Sequence, residues 1–169
     1  KNTPQLIRAF RILKEKYNFP HHLVLAGQPG AHGFGEVQAA LDELPESIRA
    51  QVSLLGYLSD SDHASWLRFS DCLVFPSGFE GFGLPVLEAM ASDVPVVASN
   101  ASSLPEIVGE AGTLVNHTSS EAITEGVLVT LTNPTQRAQL VAKGRERLKA
   151  FSWERAALAT IGVLEDAYK

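Results

Sequence analysis

The chain has 169 residues, 45% of them hydrophobic and 20% charged, with a formal net charge of -5 and a sequence pI near 5.5. That make-up suits one globular domain burying roughly 70% of its unfolded surface without staples. No lysine/arginine block dominates, which excludes a general nucleic-acid or anionic-membrane surface and leaves only a local basic spot for phosphate.

The first residues enter a helical pattern at once, with Thr3 as the expected cap, Pro4 at the first helical position and Leu6, Ile7, Phe10 and Leu13 on one stripe. A lysine start inside such a pattern reads as a piece of a longer protein. Short apolar runs then alternate with amphipathic stretches. In chain order, the pattern predicts a strand at 23–26, a helix at 34–44, a strand at 52–55, a helix at 62–70 and a strand at 72–75. A helix at 85–92, a strand at 94–98, a helix at 104–108 and a strand at 113–115 follow, then helices at 120–131, 135–150 and 153–168. Runs that are apolar throughout predict a parallel sheet covered on both faces. The class is α/β, a Rossmann-like parallel sheet with helices on both faces, in one domain spanning 1–169.

No apolar run approaches the ~20 residues needed to cross a bilayer, and no leader pattern opens the chain. A cytoplasmic protein is expected. Cys72 is the single cysteine and lies in the apolar run DCLVF, as a buried structural thiol would.

In open parallel sheets, ligands sit at the carboxyl ends of the strands. The loop after the third strand, PSGFEGFGLP, is the most informative. Pro85 suits the first position of a helix, because its missing N–H would have had no partner there. Gly81 and Gly83 precede that start, so free N–H groups and the helix dipole can hold a phosphate or diphosphate. Glu80 and Glu88 would repel such an anion unless they address other parts of the same ligand. Glu88, about one turn into the helix, can accept from a ribose diol, and Glu80 would face the opposite end. A ligand with ribose at one end, hydroxyls at the other and a diphosphate between them meets all three demands. Glycine, proline and a solvated glutamate at an ordinary strand-to-helix turn would give the same spacing.

Residues 75–115, FPSGFEGFGLPVLEAMASDVPVVASNASSLPEIVGEAGTLV, resemble the donor-binding signature of glycosyltransferase group 1, the retaining enzymes of family 4 with the two-domain GT-B architecture. The likeness extends through KN at the start, VLAG, LLGYLSD and FSW. It implies the C-terminal, donor-binding half of a GT-B fold, with the N-terminal acceptor domain outside this chain. It implies transfer of a sugar, of the hexosyl type, from a nucleoside diphosphate sugar to an unknown acceptor, without a cofactor or a metal. Glu80 would be the catalytic candidate, contacting the transferred sugar, and Glu88 would hold the ribose hydroxyls. Gly81, Phe82, Gly83 and Leu84 would give backbone contacts, and Lys1 would be the lysine of a phosphate-binding arginine/lysine pair. Gly27 would wall the cleft, and Tyr57 and Leu58 would line the base pocket. Membrane association of the full-length protein stays open on this reading. A non-catalytic nucleotide-binding or regulatory module and a nucleotide-sugar epimerase of the same architecture are the rival functions.

One departure is visible: Asp93 stands where the family has glycine after the motif helix, and a small stability cost is expected from a left-handed residue there. Asp60–Asp62, written DSD, precede an amphipathic stretch and read as helix-capping aspartates, not as a metal site. His21, His22, His32, His63 and His117 show no two-ligand spacing and read as surface or loop residues. Gly30 and Gly33 lack the dinucleotide fingerprint and are left unassigned. The basic stretch 143–149, KGRERLK, reads as a solvated helix face.

Overall fold

The structure, a computed structural model, describes residues 1–27 and 34–168, with the Phe34 side chain set aside; Gly30, Gly33 and His32 lie outside the described residues. The elements run α1 (Thr3–Tyr17), β1 (Leu23–Ala26), α2 (Phe34–Asp42), α3 (Glu46–Arg49), β2 (Val52–Gly56), α4 (Asp60–Arg68) and β3 (Leu73–Phe75). They continue with α5 (Leu84–Ala91), β4 (Val96–Ser99), α6 (Leu104–Val108), β5 (Thr113–Val115), α7 (Ser120–Thr132), α8 (Pro134–Leu148) and α9 (Trp153–Tyr168).

Among the described residues all strand pairings are parallel, in two ladders: β1 with β2, and β3–β4–β5 with β4 in the centre. Every residue of β4 is buried, as a strand covered on both faces must be. Its side chains alternate. Val96 and Ala98 pack with Val86, Ala89, Met90, Leu104 and Val108 of α5 and α6, while Val97 packs with Ala9, Leu13, Ile123 and Val127 of α1 and α7. Gly126 lets α7 lie this close, because a Cβ there would stand 2.5 Å from Val115 Cγ1 and 3.1 Å from Val97 Cγ1.

The first ladder differs from the expectation of double cover. In β1 burial alternates, with Leu23 and Leu25 covered and Val24 exposed, while in β2 Ser53 and Leu54 are both exposed although Leu54 is in register with the packed Leu25. The packed face meets Ile7 and Phe10 of α1 with Ala40, Leu41, Leu44 and Ile48 of α2 and its neighbours. Helix α1 therefore serves both ladders from one stripe, with Ile7 and Phe10 on one and Ala9 and Leu13 on the other.

Helix starts differ in detail from the sequence reading. Asn2, in the left-handed region at φ 59, precedes α1 in place of Thr3. Ser59, not an aspartate, caps α4: its Oγ accepts from the Asp62 N–H at 3.2 Å and donates to Asp62 Oδ2 at 2.7 Å. Asp60 and Asp62 fill the first turn, where they complement the helix dipole. The basic stretch of α8 is not a purely solvated face. Arg145 forms a two-pronged pair with Asp93 at 2.7 and 2.8 Å, Arg147 donates to the Glu106 and Ile107 carbonyls, and Lys143 meets Glu110 at 3.0 Å.

His21 lies in the loop before β1 and is half-buried: its ring stacks on Phe19 at 4.3 Å, and its Nδ1 is covered without a hydrogen-bond partner. Burial pushes the Cys72 thiol up to about 12, as an inert structural thiol requires. Among the described residues, no helix is long and apolar enough to cross a membrane. Helix α9 contributes no buried residue, and Leu158, Ile161, Val163 and Leu164 are exposed along it.

Candidate functional site

The loop between β3 and α5 is held from the segment that follows β4. The Glu80 N–H donates to Ser102 Oγ at 3.2 Å, and that hydroxyl donates back to the Glu80 carbonyl at 2.7 Å. Ser103 Oγ reaches the carbonyls of Glu80, at 3.0 Å, and Phe82, at 2.7 Å. Deeper in, the buried Ser99 hydroxyl donates to the Ser77 carbonyl. These serines, together with the left-handed Ser102 at φ 57, fix the turn that carries Glu80.

Gly83 ends the loop at φ 119, and a Cβ there would stand 2.8 Å from Leu104 Cδ2. Both the backbone conformation and the space call for glycine. Helix α5 then begins at Leu84, which puts Pro85 at its second position, one later than expected. Among the described residues, the backbone N–H groups of Gly81, Phe82, Gly83 and Leu84 have no hydrogen-bond partner. Four donors thus stand free at the positive end of a helix, which is the physical requirement for holding an anion. Phe82 is braced from below by an edge-on contact with Phe151 at 5.9 Å.

Lys1 is brought directly to this loop. Its Nζ lies 2.5 Å from Glu80 Oε1 and 5.2 Å from the centre of the Phe75 ring. Its position is set by Asn2, whose side-chain amide donates to the His117 carbonyl, while the His117 ring lies against Gly78 of the loop. Partial burial raises the Glu80 carboxyl, but bonds from the Lys1 ammonium and the Ser77 hydroxyl outweigh it and hold the group below the usual glutamate value.

Glu88 is exposed on α5, and the His63 ring of α4 lies beside it, with Nδ1 3.8 Å from Oε2. The remaining candidates lie at the ends of β1 and β2. The Gly27 N–H donates to the Gly56 carbonyl at 2.7 Å, Tyr57 is 72% exposed, and Leu58 is half-buried just before α4. All the candidates are therefore at or beyond the carboxyl ends of β1, β2 and β3, or at the chain start beside them. Among the described residues, no hydrogen bond or ion pair joins Gly27, Tyr57 or Leu58 to Glu80 or Glu88.

Sequence reading missed the supporting residues Asn2, Ser99, Ser102, Ser103 and His117, and the placement of His63 beside Glu88. Only the serines left a trace. The loop SNASSLPE follows the fourth strand and so had to lie at the same end of the sheet. Two surface hollows, one along α8 at Glu110, Lys143 and Arg147 and one at Lys14, Phe19 and Gln51, include none of the candidate residues.

The family model for glycosyl transferases group 1 matches residues 1–147. The O-antigen chain mannosyltransferase B of Escherichia coli is 36% identical over 171 aligned residues, covering 100% of this chain and 42% of that protein. A sucrose-phosphate synthase from Thermosynechococcus elongatus superposes with a TM-score of 0.83 at 26% identity, over 99% of this chain and 42% of the other. The C-terminal domain of a glycosyl transferase group 1 family protein from Francisella tularensis gives a TM-score of 0.77 at 29% identity, over 89% of this chain and 78% of that domain. This chain spans less than half the length of the mannosyltransferase it resembles. It belongs to the glycosyl transferases group 1 family, and its fold is that of the C-terminal half of the GT-B architecture.

Proposed function

We propose that this domain binds the donor, a nucleoside diphosphate sugar, for a retaining family 4 glycosyltransferase of the hexosyl type. The observation that carries the reading is the set of four unpartnered N–H groups at Gly81–Leu84, flanked by Lys1 and Glu80 on one side and Glu88 on the next turn of α5. In this assignment the diphosphate sits on the helix start, Lys1 adds a positive charge, Glu88 accepts from the ribose hydroxyls and Glu80 holds the sugar. Gly27, Tyr57 and Leu58 bound the nucleoside end.

The chemistry asked of the domain is electrostatic. As the bond from the anomeric carbon to the diphosphate oxygen breaks, the electron pair goes to that oxygen, and Lys1 and the N–H groups stabilise the charge. The acceptor oxygen bonds to the anomeric carbon on the face that the diphosphate leaves, and the departing phosphate takes the acceptor's proton there, so the configuration is retained. Lys1 and the helix start supply the positive charge, so no metal is part of the proposal. The acceptor site belongs to an N-terminal domain of the same enzyme, and the exposed apolar residues of α9 support contact with it. A hexosyl donor is supported by a relative named as a mannosyltransferase. A cytoplasmic location goes with this proposal.

Calorimetric titration of GDP, UDP and ADP and their sugars tests the assignment. Glu88→Ala should weaken both the nucleotide that binds and its sugar by about 1–3 kcal/mol, as loss of charged hydrogen bonds to a diol does. A variant with wild-type thermal stability and undiminished nucleotide affinity would contradict the ribose assignment.

A further inference from the structure

We propose that Glu80 competes with the diphosphate for Lys1, so that the cleft favours an intact nucleotide-sugar over the spent nucleoside diphosphate; this rests on the donor-site reading above. The two partners are unequal. Glu80 is 14% exposed, and its backbone is clamped by Ser102 and Ser103 on a fixed turn. Lys1 is 66% exposed and carries its charge on a flexible stem. The ammonium is therefore the partner that moves, and a diphosphate on the start of α5 would draw it away.

A mostly covered carboxylate that loses its cation needs other donors, and leaving it without them is costly. The hydroxyls of a bound sugar are such donors. A free nucleoside diphosphate brings none, so it alone meets the cost of stripping Lys1 from Glu80. After transfer, the same imbalance returns Lys1 to Glu80 and favours departure of the nucleotide. Read from sequence alone, Glu80 has no part in binding the free nucleotide; the ion pair gives it one.

The test titrates GDP, UDP and ADP, and GDP-mannose, UDP-glucose and ADP-glucose, into wild-type protein, Glu80→Gln, Lys1→Met and the double variant. Glu80→Gln keeps the shape and hydrogen-bonding capacity of the side chain but has no charge to hold Lys1. It should tighten the free nucleoside diphosphate at least about fivefold, the lower end of ordinary coupling between ligands, with a much smaller change for the matching sugar. Glu80→Ala should tighten the free nucleotide as well but weaken the sugar. In the Lys1→Met background, Glu80→Gln should have no effect. Unchanged or weakened nucleotide affinity in Glu80→Gln would overturn the inference. So would a tightening that persists without Lys1, since simple relief of charge repulsion would then explain it. Should none of the nucleotides bind the wild type, the donor-site reading falls and takes this inference with it. Nucleotide binding that depends on Glu88 but ignores Glu80 leaves the donor site standing and removes the competition alone.

Discussion

Asp93 stands two residues past the end of α5 at φ 60, a conformation that glycine adopts freely and aspartate tolerates better than most side chains. The left-handed backbone was legible from the position of the residue after the helix. Its compensation was not, because Arg145 lies 52 positions away and its two-pronged bond to Asp93 exists only once α8 packs beside α5. The Arg145 guanidinium holds the Asp93 carboxyl below its ordinary value, so this contribution is present above the unfolded carboxylate range and fades as pH falls through the lowered value. Asp93→Gly removes the strain and the ion pair together, and salt weakens only the pair. Thermal melts of both proteins should therefore shift in favour of the glycine variant as ionic strength rises. A difference that ignores salt would show that the pair contributes nothing.

At the scale of elements, the start of α5 joins fold to site. The glycine-rich run and Pro85 announced a helix start, and the unpartnered N–H groups follow from it. The serine clamp from the β4 end was hidden, since nothing in SNASS says which carbonyls those hydroxyls reach. Gly83 shows how tight the join is. In Gly83→Ala, a left-handed φ of 119 and a contact of 2.8 Å with Leu104 act together, and a loss of about 1–3 kcal/mol is expected in urea unfolding. An unchanged midpoint would mean that the loop and α6 yield freely, and the anion cradle would lose its claim to be rigid. Helix α8 taught the opposite lesson. Its basic stretch has the composition of a solvated face, yet Arg145 and Arg147 tie it to Asp93 and to the end of α6. Composition reports charge, not which charges find partners.

At the scale of the molecule, alternation of apolar runs and amphipathic stretches was enough to yield the α/β class and the parallel pairing. It missed the exposure of Val24 and Leu54 in β1 and β2, because both look like core residues in a run that is apolar throughout. The pattern of α9 is that of a packed amphipathic helix, yet none of its residues is buried.

The central claim is that the start of α5 holds a nucleoside diphosphate without a metal. Amide shift mapping of the 15N-labelled protein, titrated with GDP, UDP and ADP in the presence of a chelator, tests it most directly. The account predicts that at least one nucleotide moves the amides of Gly81, Phe82, Gly83 and Leu84 most strongly. Shifts centred elsewhere, such as along α8 at Glu110 and Lys143, or shifts that appear only when a divalent metal is restored, would contradict it.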